Sequence, residues 1–492
     1  MNVLTYEQLR SQFTPFVLRE PDGGYASVPI HERLAQAIWF DQRLKRDALQ
    51  TAAGRLVRVV SPGWWNLEAG PDFRRAVIAF GDEKPQLGDI EVHLHASNWH
   101  QHGHDSDPLY NDVLLHVVLW QDGGGQPAQT AAGCVLPRLV MSDHLEAPLE
   151  ELYDSIDPEN YPYNLDEHVG QCAERLKPLP PKTLAALLED AGLDRLRAKA
   201  RRLTRWIQRH GLEQALYTAT IEALGYKQNK EPMRRLAALL PVARVRELPA
   251  AQAQALLFGV AGFLPERTLS RRDEATRRYV RSLWNHWWKA RDEFVGRTLS
   301  SDAWRLSGLR PANFPWRRLA AVTQLLVQHW ELWPKILAVI ETVPESKVVA
   351  RLAALFTDLE DPFWSRRYSF ASKSQARAEL LIGAARARDI VINVVLPAMV
   401  AQGWLLDHPA LTEKAESVFR AHPASASNAL VRFTTHRLFG QRPVPIRTAP
   451  RQQGLLQIFH DFCLNDRSGC HQCQFPNLVR EFVTQRSGRA VD

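Results

Sequence analysis

The feature that most constrains this chain is a change of periodicity partway along it. Short apolar, β-branched runs suited to strands lie before residue 121, and from Thr183 onward apolar residues recur at helical spacing. His31–Arg46 sets Leu34, Ala35, Ile38 and Trp39 at helical spacing, with Leu44 further on. Leu56–Val60, Phe73–Phe80 and Ile90–His95 read as strands, the second followed by the turn chemistry of Gly81-Asp82-Glu83-Lys84-Pro85. Asp107–Asp112 suits a short helix with Pro108 near its first turn. Val113–Trp120 (VLLHVVLW) has the composition of a buried strand. The expected order is helix, three strands, helix, strand. Residues 151–182 are acidic and then proline-rich, as in a linker. Helical periods follow over 183–210, 213–225, 231–240, 250–262, 271–296, 316–343, 347–358, 374–390 and 410–421. The expected domains are an α/β domain (1–150), the linker (151–182), a large all-α domain (183–450) and a cysteine-containing tail (451–492).

Charge is divided along the same line. Residues 1–150 carry 12 Lys+Arg against 19 Asp+Glu, and the remainder carries 49 against 35. An acidic front and a basic back suggest one region that binds cations and another that meets a polyanion, or two domains solvated differently. The first residues lack the basic and apolar regions of a signal peptide. No apolar run approaches the roughly 18 residues of a membrane span. Five cysteines, three of them bunched near the C-terminus, do not form a secreted disulfide pattern. A cytoplasmic location without membrane contact is expected, and the sequence leaves the oligomeric state open.

Chemistry concentrates in residues 66–120. Asp72, in Gly70-Pro71-Asp72-Phe73, stands at the mouth of one strand, and Glu91 lies inside the next. Adjacent strands would bring the two carboxylates together, an arrangement that suits a hard divalent cation such as Mg²⁺ or Mn²⁺. His93, two residues beyond Glu91, can accept a proton near neutral pH or ligate the ion. A turn aspartate and an edge-strand glutamate with structural roles are the alternative. Glu32, near a helix start, is explained as well by the helix dipole.

Six of the seventeen histidines fall between His93 and His116. His93 and His95 share a strand face, while His100, His102 and His104 form a loop run able to hold a borderline-soft ion such as zinc. His116, mid-strand, reads as a core histidine.

In the helical part, Asp194–Arg209 carries seven basic residues in sixteen, among them Arg197, Arg201 and Arg205. They wrap around the helix, so a solvated basic surface and a nucleic-acid contact are both open readings. In Arg310-Pro311-Ala312-Asn313-Phe314-Pro315-Trp316-Arg317-Arg318, arginines occupy a helix's first turn, where the dipole disfavours them. Arg310, Asn313, Arg317 and Arg318 are therefore candidates for phosphate contact, with a buried arginine tie as the alternative. In the tail, Cys463-x6-Cys470-x2-Cys473 has metal-ligand spacing. His460, His471, Cys134 or Cys172 is available as a fourth ligand for zinc or a [4Fe–4S] cluster.

The strand order, with Pro71-Asp72 and Glu91-Val92-His93, resembles the core of the PD-(D/E)XK nuclease superfamily, with His93 where that family usually has lysine. The resemblance implies a restriction-endonuclease-like α/β domain and metal-dependent cleavage of nucleic-acid phosphodiesters. The tail spacing resembles the first three ligands of the iron–sulfur loop in endonuclease-three-type glycosylases, although Val479 stands where the fourth is expected. The longer pattern from Ala69-Gly70-Pro71-Asp72-Phe73 to the Asp107–Val118 stretch, with the Arg310–Arg318 motif and the closing cysteines, resembles a bacterial family catalogued as domain of unknown function 2851. That family supplies no activity. The expected function is a metal-dependent nuclease; a catalytically silent nucleic-acid-binding scaffold, or a zinc hydrolase built on the histidines, are the alternatives.

Overall fold

The structure is a computed structural model that describes residues 4–13, 30–122, 126–163, 169–265, 272–329, 331–444, 446–464, 470–471 and 473–487. It divides into two compact units. The first gathers Met1–Pro178 with His436–Gly440 and Ile458–Asp492, and the second gathers Leu179–Thr435 with Gln441–Gln457.

The first unit opens with helices α1 (Tyr6–Phe13) and α2 (Glu32–Phe40) and holds a six-stranded mixed sheet. Its strands are β1 (Val57–Ser61), β2 (Trp64–Trp65), β3 (Phe73–Phe80), β4 (Gln86–His95), β5 (Val113–Trp120) and β6 (Arg138–Val140). They lie in the order β1-β3-β4-β5-β6, with β2 paired to the start of β3. β1, β3 and β4 are antiparallel neighbours, while β4, β5 and β6 run parallel. The chain returns from β4 to β5 through residues 96–112, which contain the one-turn helix α3 (Asn98–Gln101) and a 3₁₀ turn at Pro108–Tyr110.

Alternation along β4 gives the sheet two different faces. Ile90 and Val92 are buried in one core with Leu34, Ile38 and Trp39 of α2, Phe73 and Ile78 of β3, and Leu115 and Val117 of β5. Glu91 and His93 face the other way. There residues 96–112 lie over the sheet, and the ring of Trp99 is 5.2 Å from that of His116.

Sequence expectations for β3 and β5 match their observed limits, and β4 begins four residues earlier than Ile90. The helix expected over His31–Arg46 is α2, which stops at Phe40. Gln42 takes a left-handed conformation (φ 52°), the backbone N–H of Arg43 donates to Ile38 O, and Leu44 pairs with Leu145 in a β-bridge. The helix expected at 107–112 is a 3₁₀ turn whose entry is fixed by the Asp107 carboxylate, which accepts from Leu109 N at 2.9 Å.

Among the described residues, every regular element after Val140 is helical. The second unit includes Pro181–His210, Leu212–Leu224, Lys230–Leu239, Ala250–Val260 and Glu274–Ala290. The period expected over 316–343 is two helices, Pro315–His329 and Leu332–Thr342, because Pro334 fits only the first turn of a helix. The period at 374–390 becomes helical only from Ala384. The chain is thus an α/β sheet region followed by a large helical region. No described helix is long and apolar enough to cross a membrane.

Candidate metal centre

Asp72 and Glu91 meet through the backbone of each other's strand. The N–H of Asp72 donates to Glu91 Oε2 at 2.9 Å, and Val92 N–H donates to Asp72 Oδ2 at 3.1 Å. This reciprocal latch forms because Phe73 pairs with Ile90 across the β3–β4 ladder, setting residues 72 and 91 side by side. Both carboxylates are buried, with exposures of 3% and 1%. A carboxylate removed from water requires hydrogen bonds and a positive partner. The latch supplies hydrogen bonds.

The other oxygen of Glu91 faces imidazoles. Oε1 lies 3.4 Å from His93 Nε2 and 3.4 Å from His104 Nε2. His102 Nδ1 is 3.1 Å from the same His93 nitrogen. One nitrogen from each of His93, His102 and His104 lies within 4.8 Å of the other two. An ion bound tetrahedrally at about 2.0–2.1 Å sets its ligand atoms about 3.3 Å apart. Three of the separations within the Glu91/His93/His102/His104 set, 3.1 to 3.4 Å, match that edge. Three imidazoles and one carboxylate are also a donor set suited to zinc or a similar divalent metal.

Local folding explains why these histidines converge. α3 ends at Gln101 with His102 as its C-cap, and Gly103, with φ 74°, turns the chain left-handed, a conformation that glycine adopts without strain. His104 is thereby returned to the sheet, buried and stacked on Tyr110 with ring centroids 3.8 Å apart. Its ring is also parallel to that of His93, at 5.3 Å and 7°. His102 stays exposed, so the cluster reaches solvent at that ligand.

His116 stands behind His93. Its Nε2 is 3.0 Å from His93 Nδ1, on the strand position that pairs with Glu91. Burial, then the nearby Arg138 charge, holds its pKa down to about 3, so the ring is neutral. A neutral imidazole accepting from His93 Nδ1–H would leave His93 Nε2 as a bare lone pair aimed at the cluster. Metal-bound histidines are commonly oriented this way. The sequence marked His116 as core, which it is, without revealing this contact.

The remaining candidates lie elsewhere. His95 has its ring beside Trp120 (5.5 Å), and His100 points outward to Asp105 and Gln126 O at 3.5 and 3.4 Å. Neither belongs to the cluster. Most of the basic residues of 194–209 have partners within their own unit. Arg197 pairs with Glu416 (2.7 Å), Arg201 with Asp194 (3.3 Å) and Arg202 with Glu222 (2.7 Å). Lys199 donates to Asn393 and Gln453, and Arg205 is half-buried.

Arg317 and Arg318, expected at a phosphate-binding surface, are interior, with exposures of 0% and 3%. Arg317 donates to the carbonyls of Trp364, Arg367 (2.9 Å) and Leu380 (3.1 Å). Arg318 donates to Leu381 O, to Tyr226 Oη (2.9 Å) and to Asn313 Oδ1 (2.5 Å), and burial pulls its pKa down to about 10. The Asn-Phe-Pro motif is thus a structural tie in which Asn313 serves Arg318, and of its candidates only Arg310 is exposed. The tail cysteines Cys463, Cys470 and Cys473 lie near Arg437 and Cys172.

A family model described as "Protein of unknown function (DUF2851)" matches residues 32–428, and the chain belongs to that family. No curated protein and no solved structure matches it.

Proposed function

We propose that this member of a family of unknown function is a metal-dependent hydrolase of phosphodiesters, nuclease-like, with its metal held by Glu91, His93, His102 and His104. The observation that carries the reading is the convergence of Glu91 Oε1 with His93 Nε2 and His104 Nε2 at 3.4 Å. In the sequence, the carboxylate pair and the histidine run looked like rival sites for different metals. In the fold they share Glu91 and His93, which favours Zn²⁺ or Mn²⁺ over an all-oxygen Mg²⁺ site.

Such an ion supplies Lewis acidity toward a phosphoryl oxygen and lowers the pKa of a bound water. The protein's own residues do the rest. Asp72 holds Glu91 through the backbone latch and acts as a positioning residue. His116 fixes the ring of His93, which here stands as a ligand where a nuclease would carry its lysine. Trp99 and Tyr110 pack against His104 and keep the inner side of the centre dry, leaving the His102 side open to substrate. The order of α2, β1, β3, β4, the 96–112 connection and β5, with the carboxylates at β3 and β4, supports a restriction-endonuclease-like reading of the sheet domain.

A second reading keeps the same centre and replaces nucleic acid with a small substrate. It is favoured by Arg197, Arg201 and Arg202, whose charges are paired within the helical unit. The test is incubation of the purified chain with Mn²⁺ or Zn²⁺ and, separately, single- and double-stranded DNA and RNA. Metal-dependent cleavage lost in Glu91→Gln and His104→Ala supports the nuclease. Cleavage of small phosphodiesters alone supports the second reading. Metal bound at the centre without hydrolysis of any of these overturns both.

A further inference from the structure

We infer that Cys172, Cys463, Cys470 and Cys473 form a second metal centre, an all-thiolate site for zinc or a [4Fe–4S] cluster, independent of the histidine centre. Three of these cysteines lie in the tail, and the fourth comes from nearly three hundred residues earlier. All belong to the first unit.

Arg437 ties the two ends together. Its carbonyl accepts from Gly170 N–H at 2.8 Å and lies 4.0 Å from Cys172 Sγ, while its Nη2 donates to Cys470 Sγ at 3.2 Å. One residue thus touches a cysteine from each segment. The neighbours of those cysteines also meet, with Gln171 Nε2 3.5 Å from His471 Nδ1. The backbone is tightly packed at Gly170, where a Cβ would lie 3.0 Å from Arg437 O and 3.2 Å from Cys172 Sγ.

The tail backbone is distorted at Cys463 and at Cys470. Cys463 ends a π-turn (Phe459–Cys463), a distortion frequent at functional sites. The rings of Phe462, just before Cys463, and Phe475, two residues after Cys473, are 5.2 Å apart. Cys473 N–H donates to Cys470 O at 3.3 Å. Cys470 sits at φ 79°, left-handed for a side chain with a Cβ, a strain that persists only where surroundings impose it.

All five cysteines are thiols. Cys463 lies within electrostatic range of Cys172, Cys473 and Cys470, and Cys172 within range of Cys473 and Cys470. On metal binding, four S–H protons leave as four sulfur–metal bonds form, and the Arg437 guanidinium lies beside the resulting negative charge. Soft thiolates select zinc or iron–sulfur clusters over hard cations.

The test uses full-length chain purified without oxygen, as wild type, as Cys172→Ser, as Cys134→Ser and as the double variant His102→Ala/His104→Ala. Metal and acid-labile sulfide are counted, and X-ray absorption reads the ligand shell. The expected result in the double variant is one zinc, or four irons with sulfide, per chain in a sulfur-only shell. Cys134→Ser retains it and Cys172→Ser loses it at least tenfold. Iron with sulfide identifies the cluster, and zinc alone identifies a tetrathiolate site. If Cys172→Ser does not fold, release of metal from the double variant in step with four thiols titrated by a mercurial reagent supports the centre. A metal-free tail whose thiols react at once with a thiol reagent, or metal unchanged in folded Cys172→Ser, overturns it. Failure here leaves the histidine centre untouched.

Discussion

Glu91 Oε1 lies 3.4 Å from His93 Nε2, two residues along the same strand face, while the other oxygen of Glu91 accepts the backbone N–H of Asp72. One carboxylate thus joins the β3–β4 ladder to the histidine cluster, and the consequences can be measured residue by residue.

Asp72 acts through position. Asp72→Ala removes the acceptor of Val92 N–H, and a buried unmade hydrogen bond costs about 1–3 kcal/mol. Asp72→Asn keeps an oxygen for that N–H. Chemical denaturation and metal titration are expected to show both stability and affinity falling in Asp72→Ala and largely restored in Asp72→Asn. Affinity lost equally in both would make Asp72 a direct ligand.

His116 is expected to tune the metal without binding it. His116→Phe keeps a ring in the core and removes the nitrogen facing His93 Nδ1. Loss of such an orienting partner costs roughly 10–100-fold in metal affinity. Competition with a chelator of known affinity reads this directly, and an unchanged affinity would remove His116 from the centre.

The Arg310–Arg318 motif separates into interior and surface. Arg317→Ala leaves three carbonyls without their charged donor and is expected to destabilise the chain by about 3–5 kcal/mol in denaturant unfolding. Arg310→Ala, at an exposed position, is expected within about 0.5 kcal/mol of wild type. Any nucleic-acid binding by the chain should keep its salt slope in Arg197→Ala and Arg201→Ala, because those charges are already paired. A fall of about one unit in slope per arginine would show instead that they meet phosphates.

Acid stability depends in part on His31. Burial, then His460, lowers its pKa to about 4, against about 6.5 in an unfolded chain. The unfolded state therefore binds the proton first. The contribution is fully present above pH 6.5 and is lost as pH falls toward 4, a change of about 3 kcal/mol at most. Unfolding free energies of wild type and His31→Asn across that window should diverge in slope, with the variant the flatter.

The strands were legible where composition alone decides them. β3 carries the apolar run Ala76–Phe80 and β5 is apolar apart from His116, whereas β2 and β6, at two and three residues, exist only through their partners. Asp72, Glu91 and His93 could be read because strand alternation fixes which side chains share a face. His100, His102 and His104 are equivalent in sequence, and only the end of α3 and the left-handed Gly103 send His104 inward and His100 outward. The sequence left burial of Arg317 and Arg318 open beside phosphate contact, since the carbonyls that receive them lie some fifty to sixty residues away. Cys172 was one of several possible fourth ligands until tertiary contacts set it beside Arg437.

The central claim is that Glu91 and the three histidines bind one divalent metal ion. Equilibrium dialysis of the full chain against zinc and against manganese, with Cys172→Ser as background to remove thiolate-bound metal, tests it most directly. In that background the expected result is one ion per chain, lost on adding Glu91→Gln or His104→Ala and weakened by His102→Ala, with folding preserved in the exposed His102 variant. Binding that is absent from the start, or unchanged by all three substitutions, would contradict the claim.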